Sequence, residues 1–444
     1  MILKSKRVIR MLLICFFSLM FSSCKEVKGE LNFELSTTKN YYIVSGIGTL
    51  DDSIVEIPKT YNEKPVKEIK EKAFSFNKTI KKISIPDSIE FIGKNAFERC
   101  INLETIELTN NIDVLNEGVF SYCSSLNQIS LPNKVRTIEK EAFLGCTSLK
   151  SVINLNNVDT IKEAAFKDCY KLENISLNEN ITKICNETFF ECRSLKSIEI
   201  PNNVSVIEPN AFAKCFSLEN ITIPNGVESI EFGVFQRCTS LEKINVPNNV
   251  KIIKTGAFAR CESLKSVSLF DNLKEISNNA FYGCESLVEI KIPSSVDYIG
   301  EKAFSNCSSL EKIVVDINNV TYNSKDNCNA IIETATNTLI IGCKNSIIPN
   351  DVTCIGISAF YECKSLETIE IPESVYTVEK NAFYGCISLK SISIPHSMII
   401  IKTSAFYNCF DLQNVYYNGT IEEWGYLIID DNNDCLLNAS IVLK

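Results

Sequence analysis

The sequence predicts a repeat solenoid with one short parallel β-strand per coil. One observation is an apolar motif that recurs every 23 residues; one copy runs from Leu195 through Ile198, Ile200 and Pro201 to Cys215. A second observation is that the motif cysteine keeps the same step, at Cys100, Cys123, Cys146, Cys169, Cys192, Cys215, Cys238, Cys261, Cys284 and Cys307, then at Cys363, Cys386 and Cys409. Self-similarity at a period of about 20 to 50 residues is typical of solenoids, in which each coil contacts only its neighbours.

The N-terminus has the three parts of an export signal. Four basic residues precede position 11, an apolar stretch covers 11–21, and Ser22-Ser23 stands directly before Cys24. The apolar stretch is too short to cross a bilayer as a helix. A pair of small residues before a cysteine resembles the lipobox of bacterial lipoproteins, which implies a signal peptide at 1–23 and a lipid on Cys24. Plain secretion after cleavage nearby and an uncleaved anchor are the two alternatives.

The chain is acidic, with 54 Asp and Glu residues against 45 Lys and Arg residues and a formal net charge of -9. Removal of 1–23 takes away four basic residues and no acidic residue, which moves this charge from -9 to -13. Such a charge disfavours nucleic acid and anionic lipid as ligands of the folded part. We therefore expect contact with a membrane through the N-terminal lipid alone.

The segments before the regular repeats are predicted as a tether and a cap. Residues 24–40 are predicted to be a polar tether between the membrane and the fold. Residues 41–80 have the end of the motif without its usual start, and Asn77 and Ile80 stand where later repeats have cysteine and leucine. An imperfect repeat of this kind is expected of a terminal unit that closes the apolar column.

Residues 81–315 form the first predicted array. In each repeat, Leu-x-x-Ile-x-Ile alternates apolar and polar residues, which predicts a short strand with one buried face, and proline then ends the strand. The spacing of Ala-Phe-x-x-Cys-x-x-Leu favours a short helical turn or an irregular return arc. Asn154 and Leu155 replace the second aliphatic residue and the proline, which predicts a bulge or kink. Thr109 and Asn178 also replace proline, so we expect longer strands there.

The period fails between Cys307 and Cys363, which lie 56 residues apart. Two apolar runs, 330–333 and 338–341, flank four residues in this gap and are predicted as a β-hairpin. We assign the hairpin to an insertion at 316–345.

Regular repeats resume after the insertion, in a second predicted array at 346–415. After Leu412 the motif stops, and 416–444 are predicted as a C-terminal cap. We expect the single tryptophan, Trp424, in the core of this cap.

With the motif in view, the chain resembles the BspA-like, Treponema-type leucine-rich repeat family. The resemblance rests on Leu195-x-x-Ile198-x-Ile200-Pro201-x-x-Val204-x-x-Ile207 followed by Ala211-Phe212-x-x-Cys215, and it covers roughly residues 41 to 430. It implies a curved leucine-rich repeat solenoid. It also implies a surface protein that binds host or neighbouring-cell proteins, and it supplies no shared catalytic residues.

The column of thirteen motif cysteines is predicted to be structural. One small apolar side chain per coil fits in the interior beneath the preceding phenylalanine. Zinc sites use close ligand pairs such as C-x-x-C, which this chain lacks, and its one histidine is His396. Some disulfides, with Cys328 and Cys343 as the best placed pair, and a metal site are the alternatives.

No catalytic motif is present, and His396 is expected on the surface. We therefore expect neither an enzyme nor a cofactor.

The face of the predicted strands is the candidate binding surface. Because the alternate aliphatic residues point inward, the residues between them point outward; they include Gln128, Ser130, Asn174, Ser176, Ser197, Glu199, Asn220, Thr222, Lys243, Asn245, Ser266 and Ser268. This set lacks the aromatic and arginine anchors typical of binding hot spots, so binding would depend on a wide area and many modest contacts. We expect an exported, monomeric, surface-anchored protein that binds proteins or glycans in adhesion; the alternative is a structural stalk or coat component without a specific ligand.

Overall fold

The computed structural model describes residues 29–444, so the predicted signal peptide and Cys24 lie outside the described residues. Coils stack along one axis, and their strands pair in parallel with equivalent strands of the next coil, as Gln128 does with Ser151. The predicted solenoid is confirmed. Each coil has three sides, which we call the front face (Leu-x-x-Ile-x-Ile), the side face (Val-x-x-Ile) and the turn face (Ala-Phe-x-x-Cys).

The front face consists of the strands that the alternating pattern predicts. In each of them an inward aliphatic side chain lies between two outward residues, as Ile129 lies between Gln128 and Ser130. The strands are Ile54–Glu56, Lys82–Ser84, Thr105–Glu107, Gln128–Ser130, Ser151–Ile153, Ser197–Ile198, Asn220–Ile221, Lys243–Asn245, Ser266–Ser268, Glu289–Ile292, Lys312–Val315, Thr368–Glu370, Ser391–Pro395, Asn414–Asn418 and Ser440–Leu443.

The side face carries a second strand per coil, which the sequence pattern did not reveal. Most of these strands are two residues long, and their second residue is buried, as in Thr137–Ile138. They are Tyr42–Gly46, Lys64–Ile69, Phe91–Ile92, Val114–Leu115, Thr137–Ile138, Thr160–Ile161, Lys183–Ile184, Val206–Ile207, Ser229–Ile230, Ile252–Ile253, Glu275–Ile276, Tyr298–Ile299, Cys354–Ile355, Thr377–Val378, Ile400–Ile401 and Ile428–Ile429.

The turn face is an irregular arc of consecutive turns, which decides between the two alternatives for this segment. Residues two before and two after the motif phenylalanine have left-handed backbone conformations, such as Asn210 (φ 56) and Lys214 (φ 60) around Phe212. A helix cannot continue through such residues. The arc is held by its neighbour instead, since the N–H of Phe212 donates to the carbonyl of Val234 over 3.0 Å.

The interior of the turn face holds a column of phenylalanine rings. From Phe74 to Phe304 each ring stacks on the next, with centroids 5.4 Å apart between Phe189 and Phe212. Offset stacking at such distances is favourable beyond the burial of apolar area. The predicted core role of these residues is confirmed, because Phe212 is fully buried.

Asparagine side chains join coils at the turn that follows the front-face strand. The Nδ2 of Asn203 donates to the carbonyl of Glu179 (2.9 Å), and Asn249 and Asn272 make the same bond to residues 24 positions earlier. Each bond satisfies a backbone carbonyl in the turn of the preceding coil. The asparagine-rich composition therefore has a structural role.

Substitution of the motif proline does not lengthen the strand, and this expectation was wrong. The strand before Thr109 still ends at Glu107, and the coil of Asn178 has a single bridge between Ser176 and Glu199. Both polar side chains accept a hydrogen bond from the backbone two residues later, at 3.2 Å for Thr109 and 2.8 Å for Asn178. This local bond starts a turn and competes with the ladder.

The irregularity expected at Asn154 is confirmed. Asn154 has a left-handed backbone (φ 62), and a 3₁₀ turn follows at Leu155–Asn157. Short polar side chains tolerate this conformation better than β-branched ones. The front-face strand of this coil still ends at Ile153, the position equivalent to Ser130 in the preceding coil.

The predicted β-hairpin is present, with strands Ala330–Glu333 and Thr338–Gly342 paired antiparallel. Tyr322–Asn323 adds a third strand, and a 3₁₀ turn lies at Lys325–Asn327. The strand Thr338–Gly342 also pairs in parallel with Cys354–Ile355. The hairpin therefore supplies the side-face strand on which the second array begins.

The hairpin separates the core into two parts, since its side chains alternate between them. Ile331 and Ile341 pack into the core of the first array, whereas Ala330, Ile332 and Leu339 pack into the core of the second. The phenylalanine column stops at the same place, between 304 and 360. The hairpin is thus a partition with two apolar sides.

Gly342 occupies the backbone position of a motif phenylalanine in this partition. Its N–H donates to the carbonyl of Ala359 over 2.9 Å, as a motif phenylalanine does in a regular coil. The ring of Phe360 fills the space beside it, and a Cβ on residue 342 would lie 2.1 Å from that ring. Only glycine leaves room for Phe360 here.

Polar contacts also join the two arrays across the partition. The hydroxyl of Tyr282 donates to Oε2 of Glu362 over 3.0 Å, and the hydroxyl of Ser358 donates to Oε1 of Glu301 over 2.9 Å. Burial and the Glu362 carboxylate raise the pKa of Tyr282, so this phenol remains a hydrogen-bond donor through the neutral range.

The ends of the solenoid are covered by irregular units. At the N-terminus, Asn32–Leu35 pairs antiparallel with Tyr42–Gly46, so part of the segment assigned to a tether is a strand on the edge of the side face. Thr60–Tyr61 pairs with Lys64–Ile69.

At the C-terminus, two short helices, Ile421–Trp424 and Asp434–Leu437, accompany the last strands. The ring of Trp424 packs edge-on against Tyr417 at 5.2 Å and is half-buried.

Among residues 29–444, no helix has the length and apolarity to cross a bilayer.

Candidate binding surfaces

All twelve predicted surface residues of the front face are exposed. The aliphatic residues between them are buried, so the alternation seen in the sequence decides which side chains a ligand can reach. Lys243 and Glu199, the two charged members of the set, make no ion pair with any residue of 29–444. Their charges are available to a ligand.

A depression of about 570 Å³ interrupts the front face and gathers five of the predicted residues. These are Asn174, Ser176, Ser197, Glu199 and Thr222. Volumes of about 300 to 1,000 Å³ are typical of ligand sites. The depression lies where the strand ladder is reduced to one bridge, between Ser176 and Glu199.

The other predicted residues lie on flatter parts of the face. A smaller depression of about 300 Å³ borders Ser130, whose hydroxyl accepts a hydrogen bond from Nδ2 of Asn154 (3.2 Å). Gln128, Asn220 and Lys243 are exposed in regular strands. The front face therefore has a larger concave region around Ser197 and a smaller one beside Ser130. The remaining predicted residues, Asn245, Ser266 and Ser268, lie in flat strands.

The cysteine column is buried, as the structural interpretation predicts, except that Cys363 is half-buried. The thiol of Cys215 donates to the carbonyl of Phe189 in the preceding coil over 3.2 Å, and the same bond recurs along the array. Burial raises the pKa of these thiols, to about 12 for Cys100 and Cys261. Each thiol that makes this bond is therefore a protonated hydrogen-bond donor that joins adjacent coils.

Residues 29–444 contain no disulfide, and all 18 of their cysteines are free. Cys328 and Cys343 donate separately to the carbonyls of Ala330 (3.6 Å) and Asn329 (3.4 Å). The same residues contain no cluster of three metal-ligating side chains. The pairing considered for Cys328 and Cys343 is thus absent from the structure.

His396 lies on the surface beside Glu373, with 2.8 Å between Nδ1 and Oε2. Its side chain is 60% exposed, and the group that it contacts here is the carboxylate of Glu373. This geometry is typical of a surface histidine.

A second concave surface, which the sequence did not predict, lies on the side face. It is a cleft of about 550 Å³ between Tyr298–Ile299 and the hairpin strand Thr338–Gly342. Its position depends on the strand with which the hairpin pairs, and no local sequence pattern encodes that choice.

The fold places this chain among proteins of known structure. A leucine-rich repeat protein from Bacteroides ovatus aligns with a TM-score of 0.64 and 26% identity, over 94% of this chain and 99% of that one. A leucine-rich cell surface protein from Faecalibacterium prausnitzii aligns with a TM-score of 0.50 and 25% identity, over 90% and 97%. Comparison with curated proteins gave no significant match.

The family comparison agrees with the repeat geometry. The model of the BspA type leucine-rich repeat region matches in six copies, over residues 53–173, 159–261, 228–341 and 342–433. These ranges contain the front-face depression, the hairpin and the second array. The chain belongs to the BspA-type leucine-rich repeat family.

Proposed function

We propose that this protein is a surface-anchored lipoprotein whose front face binds proteins or glycans of host or neighbouring cells in adhesion. The observation that carries the proposal is the exposed polar face with its depression at Ser197. The export signal before Cys24 supports delivery to the surface. A similar solved protein from Faecalibacterium prausnitzii is described as a cell surface protein, which also supports this location.

The chemistry of the depression favours a neutral, hydrogen-bonding ligand. Asn174, Ser176, Ser197 and Thr222 offer amide and hydroxyl groups, and Glu199 adds one acceptor charge. Ile198 and Ile200 line the same depression with apolar surface. Hydrogen-bond donors and acceptors at fixed spacing beside an apolar floor suit a glycan or a polar loop of a protein.

Binding of residues 25–444 to purified matrix proteins and soluble glycans tests the proposal. We expect saturable binding that the double variant Ser197→Arg, Thr222→Arg weakens at least tenfold, or ~1.4 kcal/mol, because two long cationic side chains fill the depression. The matched control is Thr182→Arg, Ser205→Arg, which places the same changes on exposed residues of the side face.

Two outcomes would contradict the proposal. One is the absence of saturable binding to every ligand of the panel. The other is an equal loss of affinity in the front-face and side-face variants, which would indicate a charge effect without a site. Dense coverage of cells by a protein that binds nothing would favour the stalk or coat alternative.

A further inference from the structure

The strand ladder of the side face is interrupted at the cleft, where Tyr298–Ile299 has no following strand to pair with among residues 29–444. The N–H of Ile299, which points toward the missing next strand, donates to the hydroxyl of Tyr322 over 3.0 Å. Nδ2 of Asn319 donates to the carbonyls of Val296 (2.9 Å) and Pro293 (2.8 Å). Tyr322 therefore satisfies the N–H of Ile299 in place of a strand partner, and Asn319 satisfies carbonyls in the turn that precedes the strand.

Large apolar side chains line this gap and remain accessible. Tyr298 is 48% exposed on one wall, and Ile357 is 52% exposed on the other. Ile340 of the hairpin lies between them, half-buried. Apolar residues that converge on one concave surface are typical of a binding site, whereas single exposed apolar residues are ordinary.

The cleft is also acidic. It is lined by four carboxylates and by no lysine or arginine; the carboxylates belong to Asp297, Glu301, Glu333 and Glu379. Lysines beside the cleft pair with two of them. Asp297 and Glu333 have no lysine or arginine partner within residues 29–444, so the lining attracts a cation.

Beyond the coil of Thr353, the side face of the second array carries further exposed apolar residues. Tyr376 and Ile399 occupy one column of adjacent coils, where the N–H of Ile399 donates to the carbonyl of Tyr376 over 2.9 Å. They are 46% and 58% exposed. In the first array the same column carries charged residues, such as Lys251 and Lys274. Each coil adds ~4.8 Å, so the apolar surface is elongated.

We propose that this cleft binds an extended polypeptide segment that combines apolar side chains with lysine or arginine. The apolar walls accept the aliphatic or aromatic side chains, and the unpaired carboxylates of Asp297 and Glu333 accept the cationic groups. The elongated surface beyond the cleft accommodates the rest of the segment. The site lies on a different face from the front-face depression and does not depend on the function proposed there.

Fluorescence anisotropy with two labelled 12-residue peptides tests the site on residues 25–444. In one peptide lysine alternates with leucine, and in the other glutamate replaces lysine. We expect saturable binding of the lysine peptide alone, with an affinity that falls as salt is added. Tyr298→Ser, Ile357→Ser should weaken this binding at least tenfold.

The matched control is Val206→Ser, Phe232→Ser. Val206 and Phe232 occupy the same repeat positions in two adjacent coils of the first array and are similarly exposed, at 42% and 48%. We expect this control to leave the affinity unchanged. The change Asp297→Asn, Glu333→Gln should weaken binding and reduce its dependence on salt.

Failure of the lysine peptide to bind would overturn the proposal, and so would equal effects of the cleft and control variants. All four apolar positions are exposed, so thermal unfolding should give the same midpoint for each variant. Arginine at Ser197 and Thr222 should leave peptide binding intact. That result would show that peptide binding at the cleft is independent of the front-face depression.

Discussion

Truncation of one ring in the phenylalanine column should destabilise the solenoid strongly. Phe212 is fully buried, and its ring lies 5.4 Å from that of Phe189 and 5.8 Å from that of Phe235. Replacement of a buried phenylalanine by alanine costs ~3 to 5 kcal/mol, because apolar contact is lost and a cavity remains. Two stacking contacts are lost together, so we expect Phe212→Ala to lie in the upper half of that range.

Urea unfolding followed by circular dichroism measures this cost. Much of the stability of a repeat array comes from the interfaces between neighbouring coils. Phe212→Ala weakens the interfaces on both sides of one coil, so it should also broaden the unfolding transition. Phe232→Ala is the matched control, because Phe232 is 48% exposed and should tolerate truncation. Equal unfolding midpoints for the two variants would refute the assignment of this column to the core.

Four further changes test other features. Arg237→Gly should raise the free energy of unfolding in urea by ~1 kcal/mol. Arg237 is exposed and has a left-handed backbone (φ 60), a conformation that is unfavourable by about this amount for residues other than glycine. A lower unfolding midpoint would contradict this. Gly342→Ala should lower the midpoint, since Phe360 leaves no room for a Cβ, and an unchanged midpoint would refute the packing. The rate of alkylation of Cys354 should rise about tenfold per pH unit and level off near pH 11. Burial raises the pKa of this thiol to about 11, so the reactive thiolate forms only as the pH approaches that value. A rate that levels off near pH 8 would contradict this. Metabolic labelling with a fatty acid should disappear in Cys24→Ala, and equal labelling of both proteins would refute lipidation at this residue.

The front face was predictable because its period is visible in the sequence. Residues such as Ser197 and Glu199 alternate with buried aliphatic residues, and period-two alternation decides which side chains face outward. The depression around them was less accessible to prediction. It lies where the ladder is reduced to the bridge between Ser176 and Glu199, in a coil whose strand we expected to lengthen.

The side face was missed for a physical reason. A strand of two residues, such as Thr137–Ile138, is too short to show alternation, and its three-residue spacing from the preceding valine resembles a turn. The hairpin itself was predictable from two apolar runs around a polar loop. Its role as a partition was not, because long-range pairing of Thr338–Gly342 with Cys354–Ile355 determines it.

Because the step between coils is constant, the number of coils fixes the distance along the solenoid axis. A deletion or duplication of 23 residues within the first array would remove or add one whole coil, since Gln128 pairs with Ser151 and the parallel pairs of this array repeat that offset, as Lys243 with Ser266 does. Each such event would move the partition by ~4.8 Å relative to the N-terminal strand and leave its walls unchanged. The distance of the cleft from the start of the fold can therefore vary in steps among related chains, while the chemistry of the cleft stays the same.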